Sequence, residues 1–208
     1  MMQDVKPRLG RDARREATLD VARDVFLEEG YANASMSTIA ARLGGSKGTL
    51  YNYFKNKEQL FAAYVVRHCA WQRDAMFALS AEAGDIRATL TQVGRSFLST
   101  VLSDFSVANF RVIVAEAERT PALGVAFHET GPRRGAEILG GILQKAVDQG
   151  QLKVDDPIQA GHQFIGLCQN WMMKARLCNA IPAPTPEEID REVLPAVEMF
   201  LAAYGTKS

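Results

Sequence analysis

GSKGTLYNYFKNK, residues 45–57, is the segment that decides the fold of this chain. Leu50 and Phe54 are four residues apart, so a helix would place them on one face. The other positions carry two more aromatic residues, an amide, a hydroxyl and a lysine. This mixture is typical of an exposed helix that contacts another molecule and not of a core helix.

Two further helices are predicted before this segment. Apolar residues recur at spacings of three and four until Gly30, which predicts an amphipathic first helix of about eighteen residues. Ser35 or Ser37 would cap a brief second helix that ends at the glycine pair 44–45, and Ser46 would cap the third. Two short helices joined by a tight glycine-containing turn and braced by a longer helix form a helix-turn-helix.

In a helix-turn-helix the second helix of the motif enters the DNA major groove, and the first lies across the backbone. Lys47 and Lys57 can neutralise phosphates, while Thr49 and Asn52 can hydrogen-bond base edges. Gly48 lets the backbone approach DNA closely. Lys57 would lie in the first turn of the following helix, where its charge opposes the helix dipole, and a phosphate partner would explain that position.

Some of these residues could instead have a role in packing. Tyr51 and Tyr53 could place their rings partly in the core instead of against DNA. Lys55 suits a solvated position, and Leu50 and Phe54 are expected to be structural.

Composition restricts where a nucleic-acid surface can lie. Lys plus Arg and Asp plus Glu are both 24, so the chain as a whole is not a polyanion binder. Residues 1–15 hold five basic and two acidic side chains, which makes this end locally positive. Residues 1–10 are predicted to form a flexible basic arm, which either touches phosphates or is simply solvated.

Cysteine usage and hydropathy predict the compartment. The three cysteines are an odd number without a C-x-x-C pair, which argues against a disulfide framework and a zinc site. The N-terminus lacks an apolar signal region, and no run reaches the roughly 18 apolar residues that a membrane span needs. We therefore expect a soluble, cytoplasmic protein with no membrane partner, no metal and no cofactor.

The segment from about residue 13 to residue 61 resembles the TetR-type transcriptional regulators. The resemblance is carried by Phe26, Glu29-Gly30-Tyr31, Ser35, Ile39-Ala40, Leu43-Gly44, Ser46-Lys47-Gly48-Thr49-Leu50-Tyr51, Tyr53-Phe54, Lys57-Glu58 and Leu60-Phe61. It implies a two-domain, all-helical dimer whose three N-terminal helices bind double-stranded operator DNA and whose C-terminal domain binds a small effector. One departure is Gly45, which stands where the family usually has an apolar residue.

The same resemblance implies a set of DNA-contacting residues, with the first two near phosphates and the last on a phosphate. This set is Ser37, Thr38, Ser46, Lys47, Gly48, Thr49, Tyr51, Asn52, Tyr53 and Lys57.

The remainder of the chain is predicted to be helical throughout, which gives an all-α fold of about nine or ten helices. A long fourth helix from Asn56 to about Ala83 would link a DNA-binding domain, 1–56, to an effector-binding and dimerisation domain, 57–208. Caps and breakers divide the second domain into helices over about 85–102, 103–120, 122–129, 133–149, 156–178 and 185–204.

The last two long helices carry more apolar surface than one core requires, which predicts a two-fold symmetric four-helix bundle between two copies. The predicted interface residues are Phe164, Leu167, Trp171, Ile189, Val193, Val197, Phe200, Leu201 and Tyr204. Two-fold symmetry then predicts a palindromic operator with half-sites about 34 to 36 Å apart, or a multiple of that.

A cavity between the helices of the second domain is predicted to hold the effector, because bundle interiors commonly hold ligands. Aromatic, sulfur-bearing and polar residues could converge there, with ordinary core packing as the alternative for each. They are His68, Trp71, Phe97, Phe110, Phe127, Cys168, Gln169 and Met172.

The sequence predicts no catalytic constellation, since the three histidines lie on different helices and no phosphate loop or nucleophile elbow occurs. Residues 115–121 and the Gly131-Pro132 break resemble the AefR-like branch of the family. The favoured function is a repressor that a small apolar effector releases from its operator. The alternatives are a constitutive DNA-binding regulator and a ligand-binding or enzymatic helical protein with a vestigial DNA motif.

Overall fold

The computed structural model describes residues 10–44, 47–77 and 84–206. Over these ranges the chain forms eleven α-helices and one π-helical turn, and the only bridge between extended residues joins Leu152 to Gly205. The elements are α1 (Arg11–Asn33), α2 (Met36–Arg42), α3 (Lys47–Tyr51), α4 (Lys57–Phe77), α5 (Ile86–Val101), α6 (Asp104–Ala117), α7 (Pro121–His128), the π-turn (Glu129–Arg133), α8 (Arg134–Asp148), α9 (Pro157–Gln169), α10 (Met172–Leu177) and α11 (Pro186–Tyr204). The all-α prediction is confirmed.

Some expectations fall on residues outside these ranges. They concern the basic arm up to residue 9, Gly45, the cap at Ser46, and the end of the fourth helix near Ala83.

Side-chain caps fix where most helices begin. The Ser35 hydroxyl accepts a hydrogen bond from the Thr38 backbone N–H, so Ser35 and not Ser37 caps α2. Ser103 caps α6, while Asp85 and Asp156 each accept two backbone N–H bonds at the starts of α5 and α9. These bonds satisfy donors that a helix terminus otherwise leaves without partners. The local sequence therefore sets where these helices begin.

The helix predicted over residues 156–178 is in fact two helices. α9 ends at Gln169, and Asn170 takes the backbone angles φ 31° and ψ −115° before α10 begins at Met172. A positive φ is uncommon outside glycine, and asparagine tolerates it better than most residues. This break raises the number of helices above the predicted nine or ten.

The Gly131-Pro132 pair does not separate two helices by a loop. It lies inside the π-turn, which joins α7 to α8 without an extended residue. Proline has no backbone N–H, so the ordinary helical bonding is interrupted there. Arg73 of α4 donates from Nη1 to the Thr130 carbonyl oxygen at 3.1 Å. The irregular turn is thereby tied to the long helix α4.

One core lies in the C-terminal part of the chain, between α5, α8, α9 and α11. Leu90, Val93, Leu139, Phe164 and Val193 are at its centre and are fully buried. Small residues let these helices approach closely. A methyl group on Gly94 of α5 would lie 2.7 Å from Val193 Cγ1 of α11.

A second core belongs to the N-terminal helices, and we call it the head core. It is built by α1, α2, α3 and the first half of α4, with Phe26 and Phe61 in edge-to-face contact at 4.8 Å. Ile113 of α6 and Leu123 of α7 also belong to it. The head core therefore extends past residue 56, where the predicted domain boundary lies, and that boundary remains a prediction.

Within the described ranges, no single helix is long and apolar enough to cross a membrane. The pair α5 and α6 reaches that length and composition together, but the two helices meet at a bend of 67°.

Candidate nucleic-acid interface and internal cavity

The surface of α3 is organised by two residues that point inward. Leu50 and Phe54 are 4% and 2% exposed in the head core, and the Phe54 N–H donates to the Leu50 carbonyl oxygen. With that face anchored, Lys47, Tyr51 and Asn52 lie on the solvent side, and half of the Tyr51 side chain is exposed. α3 and the residue after it thus present an ammonium, a phenol and an amide together, which are groups that can contact DNA.

The other residues predicted to contact DNA are placed less uniformly. Ser37 and Gly48 are exposed, whereas Thr38 and Thr49 are half-buried. The Thr38 hydroxyl lies 2.9 Å from Ser35 Oγ, so it takes part in the cap of α2. Tyr53 is half-buried and packs against the head core, as its structural interpretation required. Ser46 lies outside the described residues.

Lys57 does not point into solvent. Its Nζ donates to the carbonyl oxygens of Tyr31 and Ala32, at 2.6 and 3.2 Å, and lies 4.4 Å from the centroid of the Tyr31 ring. These carbonyls follow the kink at Gly30, whose φ is 75°, near the end of α1. The end of a helix is negative, so the ammonium is favourably placed there. Lys57 thus has partners within the chain that the sequence did not reveal, and its contact with a phosphate stays a prediction.

A group of cations lies at the start of α1. The Arg15 guanidinium is 5.4 Å from the centroid of the Phe54 ring, which follows α3 in the chain. Arg11 and Arg14 share the first turns of α1 with it and are exposed. From the sequence alone these residues were predicted only as part of a basic end. Because Arg15 lies against Phe54 and all three are exposed, they are further candidate phosphate contacts.

The nine residues predicted to form the dimer interface divide into three groups. Five of them are buried in the core of the single chain, so for these the prediction of an exposed interface is wrong: Phe164, Ile189, Val193, Val197 and Phe200. Leu201 and Tyr204 are half-buried against the same core. Leu167 and Trp171 are exposed by 37% and 48%, so they remain interface candidates.

An open groove of about 610 Å³ runs between α9 and α11 on the outside of this core. Leu167 lies on one side of it, and Pro195 and Met199 lie on the other, with Met199 59% exposed. Trp171 lies at the break between α9 and α10 and donates from Nε1 to Glu192 Oε1. The exposed apolar surface of the two helices thus faces away from the buried residues. We call this surface the α9/α11 face.

The eight residues predicted to line an effector site are not all in one place. His68, Phe110 and Phe127 meet at a small cavity between α4, α6 and α7. Phe97, Cys168 and Met172 belong instead to the C-terminal core, and Trp71 is 68% exposed. Gln169 is half-buried at the end of α9. The prediction of a single shared pocket is therefore wrong for Trp71, Phe97, Cys168, Gln169 and Met172, none of which lines this cavity.

The cavity encloses about 30 Å³ and has both apolar and polar walls. The apolar lining includes Ile113 and the rings of Phe110 and Phe127, whose centroids are 5.2 Å apart. Its polar side is formed by residues that the sequence prediction did not include. They are Tyr64, Cys69, Gln72, Ser106 and Asn109.

Two hydrogen bonds cross from α4 to α6 at the polar side of the cavity. The Tyr64 hydroxyl donates to Asn109 Oδ1, and Gln72 Nε2 donates to Ser106 Oγ, each at 2.5 Å. His68 lies between these two bonds on α4, one helical turn from each. Positions 64, 68 and 72 repeat every four residues, so they share one face of the helix. This spacing of polar residues was visible in the sequence and could have identified the cavity wall.

His68 is held uncharged by its surroundings. Burial, followed by the nearby positive charges of Arg67 and Arg23, lowers the pKa of its imidazole to about 4. The Phe105 ring makes an edge contact with it at 4.7 Å. Its Nε2 atom is buried, and no group in the described part of the chain hydrogen-bonds to it. At neutral pH the cavity therefore contains a neutral imidazole nitrogen with a free hydrogen-bonding position.

α4 connects this cavity to the head. Arg67, next to His68, donates to the carboxylate of Glu16 at 3.0 Å and to that of Asp20 at 2.8 Å, both on α1. It also donates to the Glu16 carbonyl oxygen. Two adjacent residues of α4 thus have different contacts: Arg67 binds α1, and His68 lines the cavity.

Comparison with known proteins identifies the family. The profile for bacterial regulatory proteins of the tetR family matches residues 19–64, and the profile for the AefR-like transcriptional repressor C-terminal domain matches residues 88–206. The chain belongs to the TetR family. Its members are DNA-binding transcriptional regulators, and the surface on α3 lies within the N-terminal match.

Three relatives show how far the likeness to TetR-family regulators extends. A putative TetR-family transcriptional regulator from Mesorhizobium loti has 28% identity and a TM-score of 0.88, covering 95% of this chain and 100% of that one. The flavonoid-responsive regulator FrrA has 31% identity and a TM-score of 0.79, covering 94% and 98%. The transcriptional repressor AcnR from Corynebacterium glutamicum is 27% identical over 151 residues, 73% of this chain and 75% of that one.

Proposed function

We propose that this TetR-family regulator is a cytoplasmic repressor whose dimer binds a palindromic operator and is released by a small, largely apolar effector. The observation that carries the proposal is the exposed group Lys47, Tyr51 and Asn52 on α3, held in place by buried Leu50 and Phe54. Repression and an effector also fit the repressor AcnR and the flavonoid-responsive regulator FrrA.

The operator is found by selecting bound fragments from genomic DNA with the purified protein. Asn52→Ala should then change the preferred bases, since an amide reads base edges. Lys47→Ala should weaken binding to all sequences and lower the slope of log affinity against log salt by about one. Equal losses on every sequence from both variants would contradict this division of roles. Lys55→Ala, at an exposed position off the short helix, is the matched control.

We propose that the α9/α11 face is where two copies meet. Leu167 and Met199 line the groove between the helices and are exposed, which fits the apolar centre of a two-fold interface. Leu167→Glu combined with Met199→Glu would place four carboxylates in a symmetric interface. Light scattering after gel filtration should then give a monomer. The control is Val114→Glu, at an apolar residue of α6 that is 58% exposed. This variant should have the same molar mass in solution as the wild-type protein. A double variant that stays dimeric refutes this interface.

Effector release requires that the ligand bind one conformation of the chain more tightly than another. We propose that α4 is the helix that moves. Its residue His68 lines the cavity, and the next residue back, Arg67, forms ion pairs with α1. A ligand that moves α4 would change the spacing of the two α3 helices in the dimer. The measurement is operator affinity with and without ligand. If no cavity ligand changes that affinity, the chain is a constitutive DNA-binding regulator.

A ligand-binding or enzymatic protein with a vestigial DNA motif is the remaining alternative. It predicts no operator binding at low nanomolar protein and moderate salt. The exposed polar surface of α3 argues against it, since no packing role in the described chain requires Lys47 or Asn52 there.

A further inference from the structure

The wall between α4 and α6 is an unusually polar seam for the interior of a helical domain. Tyr64, His68 and Gln72 form three successive positions along it, and the first and third are paired with Asn109 and Ser106. The middle position differs, because buried His68 Nε2 has no partner in the described part of the chain. A buried polar atom without a hydrogen bond is costly, so a ligand that supplies one gains affinity there.

The chemistry of the lining limits what such a ligand can be. None of the described residues that line the cavity has a charged side chain, and His68 is neutral at pH 7 because burial lowers its pKa. A carboxylate or a phosphate would therefore lose its hydration without gaining a cation, which is unfavourable. A purely apolar ligand would leave Nε2 without a partner. A neutral imidazole nitrogen is either a donor or an acceptor, and a hydroxyl group matches both.

The apolar side of the cavity favours an aromatic body. The rings of Phe110 and Phe127 line this side, and Phe105 makes an edge contact with His68. A volume of about 30 Å³ is far below the roughly 300 Å³ of typical ligand sites. Ligand entry therefore requires this wall to move outward. Phe110 and Phe127 are only half-buried, so their side chains are the part of the wall that can move most easily.

We propose that the effector site takes an uncharged aromatic compound with a hydroxyl group, which shares a hydrogen bond with His68 Nε2 while its ring packs on Phe110 and Phe127. This inference rests on the proposed function and adds to it the chemical class of the effector. His68 becomes the residue that distinguishes a phenol from an aromatic hydrocarbon and from an aromatic acid.

Three probes of nearly equal shape test the proposal on the full-length protein at pH 7. They are 2-naphthol, 2-methylnaphthalene and 2-naphthoate, and their binding is followed by fluorescence titration without DNA. We expect 2-naphthol to bind at least about tenfold more tightly than either of the others. His68→Phe keeps an aromatic ring but removes the nitrogen, so it should abolish the preference over 2-methylnaphthalene.

Two further variants separate the ligand contact from a folding defect. His68→Gln keeps a polar group on the seam and should restore part of the preference, and circular dichroism confirms that each variant is folded. His162→Phe, at an exposed histidine of α9, should match the wild-type protein.

The proposal is overturned if 2-methylnaphthalene or 2-naphthoate binds as tightly as 2-naphthol, if the preference survives in His68→Phe, or if no probe binds. Operator binding is measured separately. A chain that binds its operator but fails these ligand tests refutes only the effector class, whereas a chain that binds no operator refutes the proposed function.

Discussion

Replacing Lys57 with methionine tests whether this residue supports the head or contacts DNA. Methionine keeps the length and the helix propensity of the side chain but removes the ammonium. The lost interactions are two hydrogen bonds from a charged donor, to the carbonyl oxygens of Tyr31 and Ala32, and the contact with the Tyr31 ring. Because the side chain is partly exposed, we expect these interactions together to contribute about 2 kcal/mol.

For a chain of this length, 2 kcal/mol corresponds to a fall in Tm of roughly 4 to 8 °C. The salt dependence of operator binding should stay close to that of the wild-type protein, since the ammonium is already engaged within the chain. Lys47→Met provides the comparison. Its side chain is exposed on α3, so it should keep the wild-type Tm and lower the salt slope by about one.

The measurements are thermal unfolding by circular dichroism and operator titrations at several salt concentrations. An unchanged Tm for Lys57→Met together with a salt slope lowered by about one would refute this reasoning. That outcome would mean that Lys57 leaves the Tyr31 carbonyl to bind a phosphate, as the sequence first suggested.

Three other expectations follow from the packing and the ionisation of single residues. Arg176 is 3% exposed and donates to two backbone carbonyls and to the exposed Asp104 carboxylate, so Arg176→Met, which leaves the two carbonyls without a charged donor, should cost about 2 to 4 kcal/mol in urea unfolding. Arg95→Met, which breaks an exposed ion pair, should unfold like the wild-type protein. Gly140→Ala should destabilise the chain by about 1 to 3 kcal/mol, because the new methyl group would lie 3.1 Å from the Cα atom of Ile158 on α9. The methyl group of Gly141→Ala meets open space, so this variant should be more stable than the wild-type protein by about 0.5 to 1 kcal/mol in the same assay. The pKa of His68 falls from 6.5 in the unfolded chain to about 4 in the folded one, so the unfolded state binds more protons between these two pH values. The free energy of unfolding should therefore fall as pH decreases through this window, by at most about 1.4 kcal/mol per pH unit, and the difference between unfolding curves at pH 7 and pH 5 should lack this contribution in His68→Phe.

Local chemistry accounts for the features that the sequence predicted well. A cap such as Asp85 or Thr185 bonds to backbone groups two or three residues away, so its effect can be read without knowledge of the fold. The inward face of α3 follows from the four-residue spacing of Leu50 and Phe54. These are short-range rules, and the helix starts and the inward face of α3 depend mostly on them.

Features that depend on packing partners could not be predicted in the same way. Phe200 and Val193 form an apolar stripe, and a stripe does not say whether its partner is the same chain or a second copy. Asn170 breaks a helix in a stretch without proline, where no local rule required it. The partners of Lys57 within the chain could not be predicted, because the Tyr31 carbonyl that it binds is 26 positions away along the chain. Only the folded structure supplies such contacts.

The cavity shows the same limit for function. The residues predicted to line the effector site were chosen by chemical type alone. That choice included Phe97 and Cys168, which belong to the C-terminal core and not to the cavity. The polar partners on α6, Asn109 and Ser106, become meaningful only once they face Tyr64 and Gln72. A polar repeat on one helix is informative when the opposite helix is known.

The head core has a consequence for protein engineering. Because Phe61, Tyr64, Ile113 and Leu123 complete it, a cut after residue 56 would expose much of its apolar surface. Fusing residues 1–56 to the C-terminal region of a distant relative would join the head to surfaces that were not shaped to fit it. Retargeting this regulator to a new operator should therefore proceed by exchanging the exposed side chains of α3 in place.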